Sequence, residues 1–177
     1  MFKRVSAFLV SCVLLGGLLG MSHSAQARDK AVFTMSAGAY DMAFHREQEV
    51  EGRIEYRSAY ALLQPEDGVF RGFHPMIGIM GNTALAAFAY GGFAAPFRFA
   101  DDNWEVVPSA GIGAYHNGNG LFLGGVMEFH LGMGVNYAIT RDSRLGVSVD
   151  HISNGGTHRK NPGVNSVLLS WSFEFRE

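Results

Sequence analysis

The stretch Leu145-Gly146-Val147-Ser148-Val149-Asp150-His151-Ile152-Ser153-Asn154 decides how this chain can fold. Its first three odd positions are Leu, Val and Val, and the even positions between them are Gly, Ser and Asp. Strict alternation of this kind predicts a β-strand with two different faces. His151 and Ser153 continue the apolar face, because side chains two residues apart on a strand point the same way. We therefore expect an imidazole and a hydroxyl side by side at the end of an apolar stripe.

A second alternating stretch covers residues 164–175 after a polar turn. Its odd positions carry a run of large apolar side chains, namely Val167, Leu169, Trp171, Phe173 and Phe175. Asn165 begins the same face. If the two stretches form a hairpin, Asn165 should lie close to His151 on its apolar side.

Two-faced segments recur about eight times, near residues 31–42, 48–63, 70–80, 84–97, 103–116, 123–138, 143–153 and 164–175. Their length suits membrane-spanning strands, which need about 9–11 residues. Aromatic residues near the segment ends and 23 glycines favour a small, tightly curved barrel. Poor alternation in 70–80 and 84–97 and three prolines inside proposed strands, at Pro75, Pro96 and Pro108, favour a soluble β-sandwich instead. We predict an all-β, eight-stranded antiparallel transmembrane β-barrel of the outer-membrane type.

Residues 1–27 have the pattern of a secretory signal peptide. Lys3 and Arg4 precede an apolar segment, and Ala25-Gln26-Ala27 is a small-x-small cleavage site. Residues 28–177 then form a single barrel domain in a Gram-negative outer membrane. The single cysteine lies in the signal, which excludes disulfide and thiol chemistry from the mature chain. A formal net charge of −2 gives no indication of nucleic-acid binding.

An even-stranded barrel with both termini in the periplasm predicts the position of every loop. Periplasmic turns should fall near residues 64–69, 98–103 and 140–143. Exterior loops should fall near residues 44–48, 81–83, 116–120 and 154–163. His151 and Ser153 then lie at the exterior end of their strand, on its lipid side, at the depth of the lipopolysaccharide leaflet.

A serine beside a histidine can act as a nucleophile, because the imidazole removes the hydroxyl proton. Asn165 is the candidate that orients the imidazole, whereas Asp150 should point to the opposite face. Asn154 and the Gly155-Gly156 backbone follow the serine and offer N–H donors to an oxyanion. His-x-Ser pairs also occur as plain surface residues, so spacing alone leaves both interpretations open.

The other charged residues and histidines indicate packing in the barrel interior and not a metal site or a catalytic role. His74, Glu128 and His130 lie on different strands without metal-ligand spacing, so we expect no metal and no cofactor. The charges from Glu51 to Arg57 alternate on one strand face, which predicts an interior ion-pair ladder.

The stretches His151-Ile152-Ser153-Asn154-Gly155-Gly156 and Asn161-Pro162-Gly163-Val164-Asn165 resemble the lipid A 3-O-deacylase (PagL) family of outer-membrane acyl hydrolases. The resemblance implies a barrel with a membrane-facing Ser-His-acid site that needs no metal. It implies Ser153 as nucleophile and His151 as base, with Asn154 and Asn161 as supporting residues. Gly156 is expected to support the site through its backbone N–H. Members of that family typically carry a glutamate at the position of Asn165, and this chain departs there.

The residues predict an outer-membrane serine esterase, and the resemblance implies that it removes the 3-O-acyl chain of lipid A or lipopolysaccharide. We expect a monomer or homodimer. One alternative is a non-catalytic barrel, adhesive or structural, in which Asn165 marks a decayed site. Another is an acyl hydrolase for phospholipids.

Overall fold

The computed structural model describes residues 30–42 and 49–176, which form antiparallel β-structure. The strands are β1 Ala31–Tyr40, β2 Glu49–Arg57, β3 His74–Asn82, β4 Ala87–Ala94, β5 Phe97–Phe99, β6 Trp104–His116, β7 Met127–Ala138, β8 Ser143–Ser153 and β9 Val164–Phe175. None of the described residues belongs to a helix that is long and apolar enough to cross a membrane.

The strands close into a barrel. Each strand pairs with the one that follows it in the chain, except that β4 does not pair with β5. In addition, β1 pairs with β9 and β4 pairs with β6. The short β5 also pairs with β6, so β4 and β5 form one barrel strand that is interrupted at Ala95 and Pro96. The prediction of an eight-stranded antiparallel barrel is confirmed.

Several predicted strand limits were wrong. The alternation continues to Leu62, but β2 ends at Arg57, and β3 begins at His74 rather than at residue 70. Between them the chain makes only isolated bridges, Leu62 with Phe73 and Phe70 with Phe97. Pattern alone cannot separate a strand from an extended segment that has left the ladder.

Pro75 and Pro108 stay in the ladder through their carbonyl groups, although proline has no N–H to donate. The carbonyl groups of Pro75 and Pro108 accept bonds from the backbone of Ser58 and Ala95. Pro96 falls in the gap between β4 and β5, where a missing donor interrupts the ladder.

The outward face of the barrel is apolar. On β3, β7, β8 and β9 the outward positions hold exposed large side chains such as Ile77, Leu131, Val149 and Leu169. Aromatic pairs such as Trp104 and Tyr137 lie at one end, with ring centroids 4.9 Å apart. This arrangement matches a lipid-facing band with an interfacial aromatic girdle.

The lumen contains ion pairs that cross it. Arg53 binds Glu51 on its own strand and Asp150 on β8, each at 2.6 Å. Arg57 binds Glu105 on β6 at 2.9 Å. The predicted interior ladder exists, but most of its contacts join distant strands rather than neighbours along β2, because each arginine reaches across a narrow lumen.

An apolar cluster fills the lumen at the end where β8 finishes, which we call the site end. Tyr40, Phe88, Tyr115 and Leu123 are among its fully or nearly buried members. Gly78 makes room for it, because a Cβ there would meet the Tyr90 ring. This packing closes the lumen, so the barrel is a filled scaffold and not an open pore.

The connections fall near the predicted positions. Residues 83–86, 117–126 and 154–163 link strands at the site end, and residues 100–103 and 139–142 link them at the opposite end. The predicted signal peptide at 1–27 and the predicted loop at 44–48 lie outside the described residues.

Candidate functional site on the outer wall

The last residues of β8 carry outward the two side chains that the sequence predicts to be catalytic. Val147 and Val149 are exposed on this face, and His151 and Ser153 continue it as half-buried residues. Asp150 and Ile152 lie between them in sequence and are buried in the lumen. The alternation seen in the sequence thus places imidazole and hydroxyl on the lipid-facing wall.

Strand β9 brings Asn165 to the imidazole. His151 and Asn165 are directly opposed in the β8–β9 ladder. The Nδ1 atom of His151 lies 3.0 Å from Oδ1 of Asn165. An amide oxygen can only accept a hydrogen bond, so Nδ1 carries the hydrogen and the Nε2 lone pair is left free to act as a base.

Gly163 forms the floor of the space between imidazole and serine. It is buried, with φ +58°, a left-handed conformation that favours glycine. A Cβ on Gly163 would lie 2.9 Å from Cε1 and 3.5 Å from Nε2 of His151, and 3.6 Å from Cβ of Ser153. The side chains of His151 and Ser153 therefore border the same small space.

Asp150 does not belong to this group. Its carboxylate accepts hydrogen bonds from Arg53 and Ser148 in the lumen, and one of its oxygens lies 2.8 Å from Nε2 of His130. As the sequence predicted, it lies on the other side of the wall from His151.

The predicted supporting residues Asn154, Gly156 and Asn161 are brought together within the loop at 154–163. The side chain of Asn154 is fully buried, and its Oδ1 accepts the N–H of Gly156 at 2.9 Å. The N–H of Asn154 donates to Oδ1 of Asn161 at 3.1 Å. Nδ2 of Asn154 donates to the backbone carbonyl groups of Lys160 and Leu123, at 2.7 and 2.8 Å.

Two contributors were not predicted from the sequence. Gly163 was recognised only as part of a motif, although a Pro-Gly pair before a strand signals a left-handed turn position. Leu123 contributes a backbone carbonyl from a different loop, and the pattern of side chains in the sequence does not predict such an acceptor.

His74 and His130 serve packing. The two ring nitrogens of His74 lie 2.9 and 3.0 Å from the carbonyl oxygens of Ser58 and Arg71. His130 packs on the Tyr90 ring in the lumen. Within residues 30–42 and 49–176 no group of three His, Cys, Asp or Glu side chains could hold a metal ion.

An interior cavity of about 70 Å³ lies behind the wall, lined by polar residues that include Ser148 and Asn136. Neither His151 nor Ser153 lines it. A molecule that meets the Ser-His pair must therefore approach from outside the barrel, along the apolar wall.

These features define a class of protein, a small closed β-barrel whose outer wall carries a Ser-His-Asn group at one end. The sequence model of the family described as Lipid A 3-O-deacylase (PagL) matches residues 46–174. The chain belongs to this family.

Individual relatives agree with that assignment. Lipid A deacylase PagL of Bordetella bronchiseptica is 31% identical over 70 residues, which cover 37% of this chain and 39% of that protein. The match thus spans well under half of the curated relative.

Solved structures share the fold. The crystal structure of the outer membrane enzyme PagL has a TM-score of 0.63 at 20% identity and covers 80% of this chain and 98% of its own. A de novo designed transmembrane β-barrel has a TM-score of 0.55 at 13% identity, covering 85% and 98%. Neisserial surface protein A has a TM-score of 0.52 at 14% identity, covering 82% and 96%.

Proposed function

We propose that this chain is an outer-membrane serine esterase that removes the ester-linked 3-O-acyl chain of lipid A, after export by a signal peptide at 1–27. Family membership supports the reaction class. The observation that carries the proposal is the 3.0 Å contact between His151 and Asn165 on the same outward face as Ser153. An oriented imidazole and a hydroxyl on the same lipid-facing wall are placed where they can act on a lipid.

The proposed chemistry has two steps. His151 Nε2 takes the proton of the Ser153 hydroxyl as Oγ attacks the ester carbonyl. The tetrahedral intermediate collapses to an acyl-serine, and the imidazolium returns the proton to the departing sugar alkoxide. Water, activated by the same imidazole, then hydrolyses the acyl-serine and releases a free fatty acid.

The oxyanion needs N–H donors close to Ser153. The N–H groups of Asn154 and Gly156 are close in sequence, but both donate to side-chain oxygens in this structure. In the proposed reaction the oxyanion replaces Asn161 Oδ1 as the acceptor of the Asn154 N–H. Asn161 would then hold that donor in place between turnovers.

Asn165 sets the expected rate. Its amide oxygen orients the ring as a carboxylate would, but it brings no negative charge to stabilise the imidazolium. We therefore propose a working enzyme that is slower than relatives with glutamate at this position.

Mass spectrometry of lipid A tests the proposal. Cells that make the protein should lose one hydroxyacyl chain from lipid A, and Ser153→Ala should abolish that loss. Ser143→Ala is the matched control, because Ser143 is at the far end of β8 with the same outward parity. Unchanged lipid A in cells with correctly folded wild-type barrel would contradict the proposal.

The missing charge at Asn165 also favours a second candidate, a non-catalytic outer-membrane barrel with a decayed site. That candidate predicts no ester hydrolysis on any lipid and no effect of Ser153→Ala. Parallel assays on lipid A and on glycerophospholipids separate it from both esterase activities.

A further inference from the structure

The positive charge of the described residues is unevenly distributed. The lumen arginines Arg53, Arg57, Arg98 and Arg144 are all paired with carboxylates. Lys30 and Arg71 pair with Asp142 and Asp102 at the opposite end. Arg141 and Arg176 are also at that end. In the described loops of the site end, the lysine and arginine side chains are those of Arg159 and Lys160.

Arg159 and Lys160 are both exposed, and His158 precedes them. No carboxylate of the described chain lies within 4 Å of either charge as an ion pair. Their charges are thus available to an anion from outside, six and seven residues after the proposed nucleophile.

The loop that carries them is held in place. Asn154, adjacent to Ser153, donates to the Lys160 carbonyl at 2.7 Å. The Cα atom of Gly124, which carries no side chain, packs against that same carbonyl, and Gly125 packs against the ring of His158. A side chain at either glycine would collide with the loop at 154–163. The two loops can therefore approach this closely only because both positions are glycine.

A lipid bound at Ser153 must lay its acyl chains along the apolar wall. Its polar head then reaches the level of this loop. An arginine fork and a lysine ammonium are the side chains that bind phosphate oxygens best. Lipid A carries phosphate groups on its disaccharide. The other described loops of the site end have no lysine or arginine side chain that could bind them.

We propose that Arg159 and Lys160 form a phosphate-binding site for the lipid substrate, so that phosphorylated lipid is hydrolysed in preference to its dephosphorylated form. This inference rests on the proposed esterase function. The phosphate-binding site affects only the binding of substrate, and Ser153 and His151 still break the ester bond.

The test uses the purified full barrel in non-ionic detergent micelles, with bisphosphorylated or fully dephosphorylated lipid A as substrate and fatty-acid release as readout. The variant Arg159→Gln/Lys160→Gln should raise KM for the phosphorylated lipid by about tenfold to a hundredfold and leave kcat unchanged. On dephosphorylated lipid, wild type and variant should have the same KM. Added salt should raise the wild-type KM and hardly affect the variant.

The matched control is Arg141→Gln/Arg176→Gln, which removes two exposed cations from the opposite end and should change nothing. Arg159→Lys/Lys160→Arg keeps both charges and should retain most of the affinity. Equal KM for the two lipids with wild-type enzyme would overturn the inference without any mutant.

The source of the phosphate is tested by adding an anionic glycerophospholipid to the micelles. If the double variant then loses activity on dephosphorylated lipid as well, the loop binds the membrane surface and the substrate-phosphate site is refuted. Absence of fatty-acid release from either lipid by wild type is a different failure, that of the esterase proposal itself.

Discussion

Gly163→Ala probes the arrangement of the site most directly. Gly163 is buried with φ +58°, beneath the imidazole of His151 and beside Ser153. A methyl group there would lie 2.9 Å from Cε1, whereas ordinary carbon contacts begin near 3.4 Å. The substitution therefore pushes on the ring without removing any group that takes part in the reaction.

Two costs follow from the geometry. Holding alanine in the left-handed region costs about 1–2 kcal/mol of folding stability. Relief of the contact requires the ring to shift by about half an ångström, and misplacing a reactive group by about 1 Å can cost on the order of a hundredfold in rate. We expect kcat to fall about tenfold to a hundredfold, with KM little changed.

The assay is fatty-acid release from lipid A by purified barrels, with urea unfolding measured on the same samples. Gly68→Ala is the control for strain, since Gly68 has φ +109° and no atom lies within 4 Å of a Cβ there. It should lower stability and leave activity intact. Gly163→Asn separates the two causes, because asparagine tolerates the left-handed region but keeps the contact.

A folded Gly163→Ala barrel with activity within about twofold of wild type would show that the position of the ring does not depend on the missing side chain at Gly163. Full activity in Gly163→Asn beside an inactive alanine variant would assign the loss to backbone strain rather than to the contact with the ring.

Three further predictions follow from single contacts. Asn165→Glu should raise kcat at least about tenfold by adding charge beside the imidazole; unchanged kinetics would show that the missing charge at this position does not limit the rate. Arg53→Met should remove the guanidinium that Glu51 and Asp150 share in the lumen and lower the free energy of unfolding by about 3–5 kcal/mol, measured by urea denaturation in vesicles; a loss below about 1 kcal/mol would contradict the buried network. Asn154→Ala should free two backbone carbonyl groups, cost about 1–3 kcal/mol and expose Arg159 and Lys160 to trypsin; equal resistance to trypsin would show that the loop is held by other contacts.

The sequence by itself determined which residues face lipid. The period of two in a strand is a local property of the backbone, so alternation in 145–153 and 164–175 placed His151, Ser153 and Asn165 on one outward face. The hairpin also predicted that His151 and Asn165 would be neighbours, because only a ten-residue loop separates their strands.

Only the tertiary structure decided what happens across the lumen. The partner of Arg57 is Glu105, on a strand that touches β2 nowhere in the ladder, because closure of the sheet sets which inward residues meet. The same holds for Leu123 and Asn154, which belong to different loops. Periodicity records the face of each residue, but it contains no information about the distance between segments that approach only when the barrel closes.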